Sequence, residues 1–163
     1  MRKNITTLDI ESSSYFGYPI QIGFIDEESN KYSAYIRPTD KWIKELKWDS
    51  KSESVHKIKL EYLLEKGEDP ISVALELNKR LSEKDVLVGS SFDVRWLTTL
   101  YDHSQIKREF NLFVLTEILP IEVLSQWNSV FSVVYKEQQL ELHDALSDAV
   151  LMQETFKRIT ELY

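Results

Sequence analysis

The stretch Thr7-Leu8-Asp9-Ile10-Glu11-Ser12 constrains this chain more than any other. Ile5, Thr6, Thr7, Leu8 and Ile10 are β-branched or bulky apolar residues with no Gly or Pro among them, so the segment reads as a strand. Side chains along a strand alternate between faces, which puts Asp9 and Glu11 on one face, one pleat apart. At an effective dielectric near 20 and a separation of about 5 Å, two such carboxylates repel by roughly 3 kcal/mol. An edge strand turning a polar face to water would tolerate the pair. Otherwise a divalent cation, a raised pKa on one carboxyl or a basic neighbour must offset the repulsion. No Lys or Arg follows Lys3 within the segment, which brings a metal ion to the front.

The rest of the chain bounds what such a metal site can be. The 163 residues suit one domain with a full core, expected to span 1–163. There is no cysteine, so disulfides and thiolate metal sites are excluded, and oxygen or imidazole nitrogen must supply any ligands. Two basic residues in Met1-Arg2-Lys3-Asn4 are not followed by an apolar signal core, and no run of residues is long enough to span a membrane. A soluble, cytoplasmic protein is the expectation. A net charge of −7 argues against broad electrostatic binding to a nucleic-acid duplex, though not against a local grip on one strand end.

Tyr18 to Asp26 reads as a second strand, Glu27-Glu28-Ser29-Asn30 as a hairpin turn, and Lys31 to Arg37 as a third strand ended by Pro38. Short links make these three an antiparallel meander. Thr39 to Lys59 reads as polar and irregular, punctuated by Trp42, Ile43, Leu46 and Trp48; its two Trp suit a flap packed on the sheet, with a lid as the alternative. A short helix over Leu60 to Lys66 stops at Gly67. Asp69-Pro70 then opens a longer one through Ile71, Ala74, Leu75, Leu77 and Leu81. Val86-Leu87-Val88 and Leu112 to Leu115 are the fourth and fifth strand candidates, with a helix through Trp96, Leu97, Leu100 and Tyr101 between them. Helical patterns fill Pro120 to Tyr135, and a last helix begins near His143 with Ala145, Leu146, Ala149, Met152, Phe156 and Ile159 as its buried stripe. The sum is an α/β chain, a mixed sheet with helices on its faces.

Two further acidic positions bear on the first pair. Asp93 follows a buried strand where a helix begins, and with Ser90 and Ser91 it suits a helix cap as well as a metal ligand. Asp148 is flanked by Ala145 and Ala149, on a helix that packs closely. Asp144, four residues earlier, would share its face, and spacing does not choose between the two. His143 and Asp148 would point about 140° apart on one helix, so they converge only if His143 precedes it in a loop.

Taken together, Asp9-x-Glu11, Phe92-Asp93-Val94-Arg95-Trp96-Leu97 and His143-Asp144-Ala145-Leu146-x-Asp148-Ala149 resemble the three motifs of the DEDDh 3′–5′ exonucleases. Pro19-Ile20-Gln21-Ile22-Gly23 is similar to that family's second strand, Tyr35-Ile36-Arg37-Pro38 to the end of its third, and Val55-His56-Lys57-Ile58 to its Val-His-Gly-Ile segment. The resemblance implies an RNase H-like fold: a five-stranded mixed sheet, order 3-2-1-4-5, flanked by helices. It implies that Asp9, Glu11, Asp93 and Asp148 hold two divalent cations, Mg²⁺ or Mn²⁺, with His143 as general base. Hard oxygen ligands suit Mg²⁺, and a pair of ions suits phosphodiester hydrolysis.

The implied substrate is the 3′ end of single-stranded RNA or DNA, with nucleoside monophosphates released. Ser12, Tyr15, Phe16 and His56 are the candidate substrate contacts; Tyr15 and Phe16 are placed to stack on or wedge terminal bases, with core packing as the alternative for Phe16 and surface or packing roles for His56. The sequence departs from the family pattern at Gly89, where an Asn is usual, at Lys57 in place of Gly, and at Ser12 in place of Thr. His103 reads as a surface residue. A non-catalytic interaction module on the same fold, or a proofreading subunit acting within a polymerase complex, are the rival readings. A homodimer is one of the assemblies left open.

Overall fold

The computed structural model describes residues 5–161, so Met1 to Asn4, with Lys3, and Leu162 and Tyr163 lie outside the described residues. Three strands open the chain: β1 (Thr6–Ser12), β2 (Pro19–Ile25) and β3 (Lys31–Tyr35). They pair antiparallel, β1 with β2 and β2 with β3. Asp26 makes the β2–β3 hairpin by accepting the Glu28 and Asn30 backbone N–H groups at 2.9 and 2.8 Å, the local bonding that favours Asp in turns.

Beyond β3 come α1 (Asp40–Glu45), α2 (Ser50–His56), α3 (Leu60–Lys66) and α4 (Pro70–Leu81), then β4 (Asp85–Val88), α5 (Ser91–Ser104) and β5 (Asn111–Val114). The chain ends with α6 (Leu115–Ile118), α7 (Ile121–Gln138) and α8 (Ala145–Glu161). β4 pairs parallel with β1 on one side and with β5 on the other, which gives a mixed sheet of order β3-β2-β1-β4-β5. The expected architecture is the observed one. β1 is the central strand, so the edge-strand explanation of Asp9 and Glu11 does not hold.

Thr39 to Lys59 is not irregular. It forms two short helices, each started by a side chain that accepts a backbone N–H: Thr39 from Trp42 and Asp49 from Lys51. The flap packs as expected. Trp42 is 4% exposed, stacks on Tyr18 at 5.6 Å and meets the ring of His103 edge-on at 5.1 Å. His103 is therefore half-buried against Trp42, a correction to its surface reading.

The alternation of β1 divides the molecule. Leu8 and Ile10 join the large core with Ile20, Ile22, Val86, Val88 and the inner faces of α4 and α5. Leu87 packs instead with Met152, Phe156 and Ile159 of α8 and with Val123 of α7. Thr7 marks that same side of β1: its Oγ1 donates to the Ala149 carbonyl of α8 at 2.7 Å. Asp9 and Glu11, two and four residues on, are thereby aimed at the start of α8. No helix among the described residues is long and apolar enough to cross a membrane.

Candidate active site

Two devices in β2 bring α8 onto β1. Gly23 pairs with Asp9 across the ladder, and a Cβ there would lie 2.3 Å from the Leu146 nitrogen and 2.6 Å from the Ala145 carbonyl carbon. Only a residue without a side chain lets the helix backbone approach this closely. Gln21 is 2% exposed; its Nε2 donates to Asp144 Oδ1 at 2.7 Å and its Oε1 accepts the Ala145 N–H at 3.2 Å. The other Asp144 oxygen accepts from the Ser147 backbone and hydroxyl at 3.0 and 2.9 Å. Asp144 is thus engaged at the start of α8, and Asp148 is the acid left facing β1. Sequence reasoning placed Gln21 and Gly23 only in a strand. The available signal was a fully polar side chain in an otherwise apolar run.

His143 precedes α8 in a loop, the placement that lets it converge with Asp148. Its backbone is left-handed, with φ 62°, and its N–H donates to Asp148 Oδ2 at 2.9 Å. Asp148 Oδ1 is buried without a hydrogen-bond partner. One donor atom each from Glu11, His143 and Asp148 lie within 4.8 Å of one another. Asp9 and Asp93 fall outside that grouping but act on it electrostatically. Asp93 keeps part of its capping role: its Oδ2 accepts from the Ser90 backbone and hydroxyl, both at 2.9 Å, in a capping box at the start of α5.

The acids destabilise one another's charge. Burial, then the charges of Asp93, Asp148, Glu11 and Asp144, hold the Asp9 carboxyl well above its ordinary range. Burial raises Glu11 to about 7, with Asp148, Asp93 and Asp144 adding to it. Burial raises Asp93 to about 6 despite the Ser90 bonds. Burial also raises Asp148, against the pull of the His143 N–H. Among the described residues, no ion pair joins Asp9 or Glu11 to a Lys or Arg. An unpaired buried carboxylate oxygen amid mutually repelling acids, with imidazole and oxygen donors only, fits a divalent cation.

Asp9, His143 and Asp148 line a cleft of about 360 Å³ together with the apolar side chains of Leu115, Trp127, Phe131 and Met152. Gly89 opens onto it; a Cβ there would meet nothing nearer than Asp93 Oδ2 at 3.8 Å. The Ser13–Gly17 loop that follows β1 is closed on itself: the Ser13 N–H donates to Tyr18 O at 2.9 Å, and the Gly17 N–H to Ser14 O at 3.0 Å. Ser12 is buried and donates to Ser14 O, bracing the loop. Tyr15 and Phe16 project from it, each 64% exposed, so Phe16 is not packed in the core. Tyr15 meets Phe92 edge-on at 4.3 Å, and the Arg95 guanidinium lies 4.6 Å over the Phe16 ring.

His56 is buried rather than superficial. Its Nδ1 accepts the Ile58 N–H at 3.0 Å, its Nε2 has no partner, and burial holds its pKa below the ordinary value. With His143, Tyr35 and Tyr62 it lines a second cavity of about 400 Å³.

No protein-family model matches the sequence, and no curated protein matches it. Solved structures do match. E. coli Exonuclease I in complex with a dA16 oligonucleotide superposes with a TM-score of 0.72 at 14% identity, over 97% of this chain and 41% of that one. The chain has the RNase H-like fold. Exonuclease X in complex with 5′-overhanging duplex DNA shares it, with a TM-score of 0.59 and 14% identity over 97% of this chain and 92% of its own. So does a 3′-exonuclease that recognises a histone mRNA stem-loop, with a TM-score of 0.62 and 13% identity over 96% of this chain and 63% of its own. The chain thus spans about 41% of the length of Exonuclease I. Within the RNase H-like fold, the acids described here stand at the carboxyl ends of the parallel strands β1 and β4, the rim where open α/β sheets bind ligands.

Proposed function

We propose that residues 1–163 form a single DEDDh-type exonuclease domain that hydrolyses phosphodiester bonds at the 3′ ends of single-stranded nucleic acid and releases nucleoside monophosphates. The observation that carries this reading is the convergence of Glu11, His143 and Asp148 within 4.8 Å, with Asp148 Oδ1 buried and unpaired, on a fold shared with 3′-exonucleases.

In this reading Asp9, Glu11, Asp93 and Asp148 hold two divalent cations, Mg²⁺ or Mn²⁺. Bound there, such ions supply Lewis-acid stabilisation to the attacking and leaving oxygens. The chain's own residues do the remainder. A ring nitrogen of His143 accepts the proton of the attacking water, from a loop oriented by the bond between its backbone N–H and Asp148. The apolar side chains of Leu115, Trp127 and Phe131 in the same cleft lower the local dielectric and strengthen the electrostatics of the acids. Tyr15 and Phe16 stack on the terminal bases, which suits a protein whose net charge of −7 gives little grip on a phosphate backbone.

The test is digestion of labelled single-stranded RNA, single-stranded DNA and blunt duplex by the isolated chain with Mg²⁺ or Mn²⁺, with and without EDTA. Stepwise shortening from the 3′ end that EDTA abolishes is the expected result. No cleavage of any free strand would overturn the reading in favour of an interaction module or a subunit active only in a complex.

A further inference from the structure

We propose that Arg95, stacked on Phe16, is a clamp for one backbone phosphate of the single strand, upstream of the scissile bond. The proposal deepens the reading above and rests on it for the identity of the strand.

The clamp is assembled from two elements that also carry acids of the site. Phe16 stands five residues beyond Glu11, in the loop that follows β1, and Arg95 stands two residues beyond Asp93 on α5. Tyr15 ties the loop to the helix, its ring meeting Phe92 edge-on at 4.3 Å. Residues three apart share a helix face, so Arg95 continues the face that Phe92 begins. Its guanidinium lies 4.6 Å over the Phe16 ring. Stacking of this kind uses the flat face of the guanidinium; its N–H donors lie in the plane and stay free to bind.

Two features separate the pair from ordinary surface packing. Arg95 is exposed and, among the described residues, forms no ion pair, in a chain with 27 acidic residues against 20 Lys and Arg. Arg80 and Arg158, by contrast, are paired with Glu76 and Glu137. Phe16 also stays 64% exposed with Arg95 over it, so one face of the ring serves the guanidinium and the other can serve a base. A ring and a lone guanidinium turned to water together match the two halves of a nucleotide, a stacking base and a phosphate. The scissile phosphate belongs to the acids and their cations. Only one nucleotide lies on the 3′ side of that bond, so the phosphate left for Arg95 is upstream. A planar fork held by stacking suits bidentate phosphate binding, which a lysine does not provide.

Fluorescence anisotropy of the whole chain with a labelled single strand, in Ca²⁺ and with gel electrophoresis showing the strand intact, reads the clamp without turnover. Arg95→Ala should weaken binding about 10-fold, the low end for a hydrogen bond to a charged group. It should also make the slope of log Kd against log salt shallower by about 0.7, one phosphate on a single strand. Arg95→Lys keeps the charge without the fork, so it should retain the slope and recover only part of the affinity. Uncharged methylphosphonates placed at upstream linkages one at a time should weaken the unaltered chain at one linkage, and cost Arg95→Ala nothing further there. Circular dichroism establishes that both variants are folded. Unchanged affinity and slope in Arg95→Ala, equal sensitivity of it and the unaltered chain at every linkage, or no binding by the unaltered chain would overturn the clamp. Full affinity in Arg95→Lys would overturn the role of the fork. Arg95-dependent binding without metal-dependent cleavage would overturn the nuclease reading and leave the clamp; cleavage with Arg95-independent binding would do the reverse.

Discussion

At the end of the β1–β2 ladder where β2 turns into β3, Asp26 is 5% exposed and well provided for. Its oxygens accept from the Glu28 and Asn30 backbones and from Asn30 Nδ2, and Lys84 Nζ lies 3.9 Å away. Burial pushes its carboxyl up, but these partners outweigh it and leave the pKa below the ordinary value. Glu27 beside it is lowered too, first by the Thr6 hydroxyl at 2.6 Å. At the other end of the same two strands, Asp9 and Glu11 face further acids, neither forms an ion pair with a Lys or Arg among the described residues, and both are raised. Burial is common to both ends; the supply of donors differs. What distinguishes the candidate active site from a structural acid cluster is therefore withheld compensation, which in the proposed function a cation would supply.

The contrast breaks if substitutions at the two ends have similar consequences. Asp9→Ala is expected to reduce metal-dependent cleavage to background while the protein stays folded by circular dichroism. Asp26→Ala is expected to retain cleavage and lose stability by about 1–3 kcal/mol in denaturant melts, because the N–H groups it served are left unpaired. An active Asp9→Ala protein free of contaminating nuclease would remove the acid cluster from the chemistry.

Next in size is the base. His143→Ala should slow turnover by roughly 10²–10⁴-fold, the usual contribution of a positioned general base. Mn²⁺ binding measured by calorimetry should survive it. Loss of all metal binding along with the imidazole would instead make His143 an obligatory ligand of the active enzyme.

These two ends were not equally legible in the sequence. Asp26 to Asn30 reads as a turn because Asx chemistry is local. Asp9 and Glu11 read as odd because alternation alone puts them on one face. What spacing left open was the choice between Asp144 and Asp148. What bears on it is Gln21, which lies more than a hundred residues away and engages Asp144 because Gly23 lets α8 settle on β2. Helices α1 and α2 escaped notice for a different reason: at 6 and 7 residues they are too short to show a period, and no glycine marks their end as Gly67 marks that of the equally short α3. Their caps, Thr39 and Asp49, were in plain sight. The ring of His103 against Trp42 depends on α1 meeting α5, which no local pattern encodes.

A smaller effect is expected at the aromatic loop. Tyr15→Ala or Phe16→Ala should each weaken binding of a short single strand by about 1–3 kcal/mol, roughly 5- to 150-fold. Neither should alter Mn²⁺ affinity, since neither ring belongs to the acid cluster. Fluorescence anisotropy with a dinucleotide and a longer strand checks this, and similar losses for both would place the contact at the 3′ end. If the longer strand alone were affected, the loop would belong to an upstream track.

The smallest effect concerns stability against pH, and it returns to the two ends of the ladder. Glu11 and Asp93 have folded values of about 7 and about 6, above their ordinary 4.5 and 3.8. A carboxyl raised on folding stabilises the protein most below its unfolded pKa, and that contribution is lost as pH rises through the folded value. Metal-free protein should therefore melt lower at pH 8 than at pH 5. Each kcal/mol lost corresponds to about 2–4 °C in a chain of this size. Asp26 has the opposite sign. Its stabilisation is present above its unfolded pKa and is lost as pH falls through its lowered folded value. Saturating Mn²⁺ should abolish the alkaline loss by binding the ionised acids of the folded state, and leave the acid limb in place. Glu11→Gln should flatten the alkaline limb without metal, and Asp26→Asn the acid one. A melting temperature in EDTA that stays level from pH 5 to 8 would show that the Asp9–Glu11 end is compensated after all, and that the two ends do not differ in the way their hydrogen bonds imply.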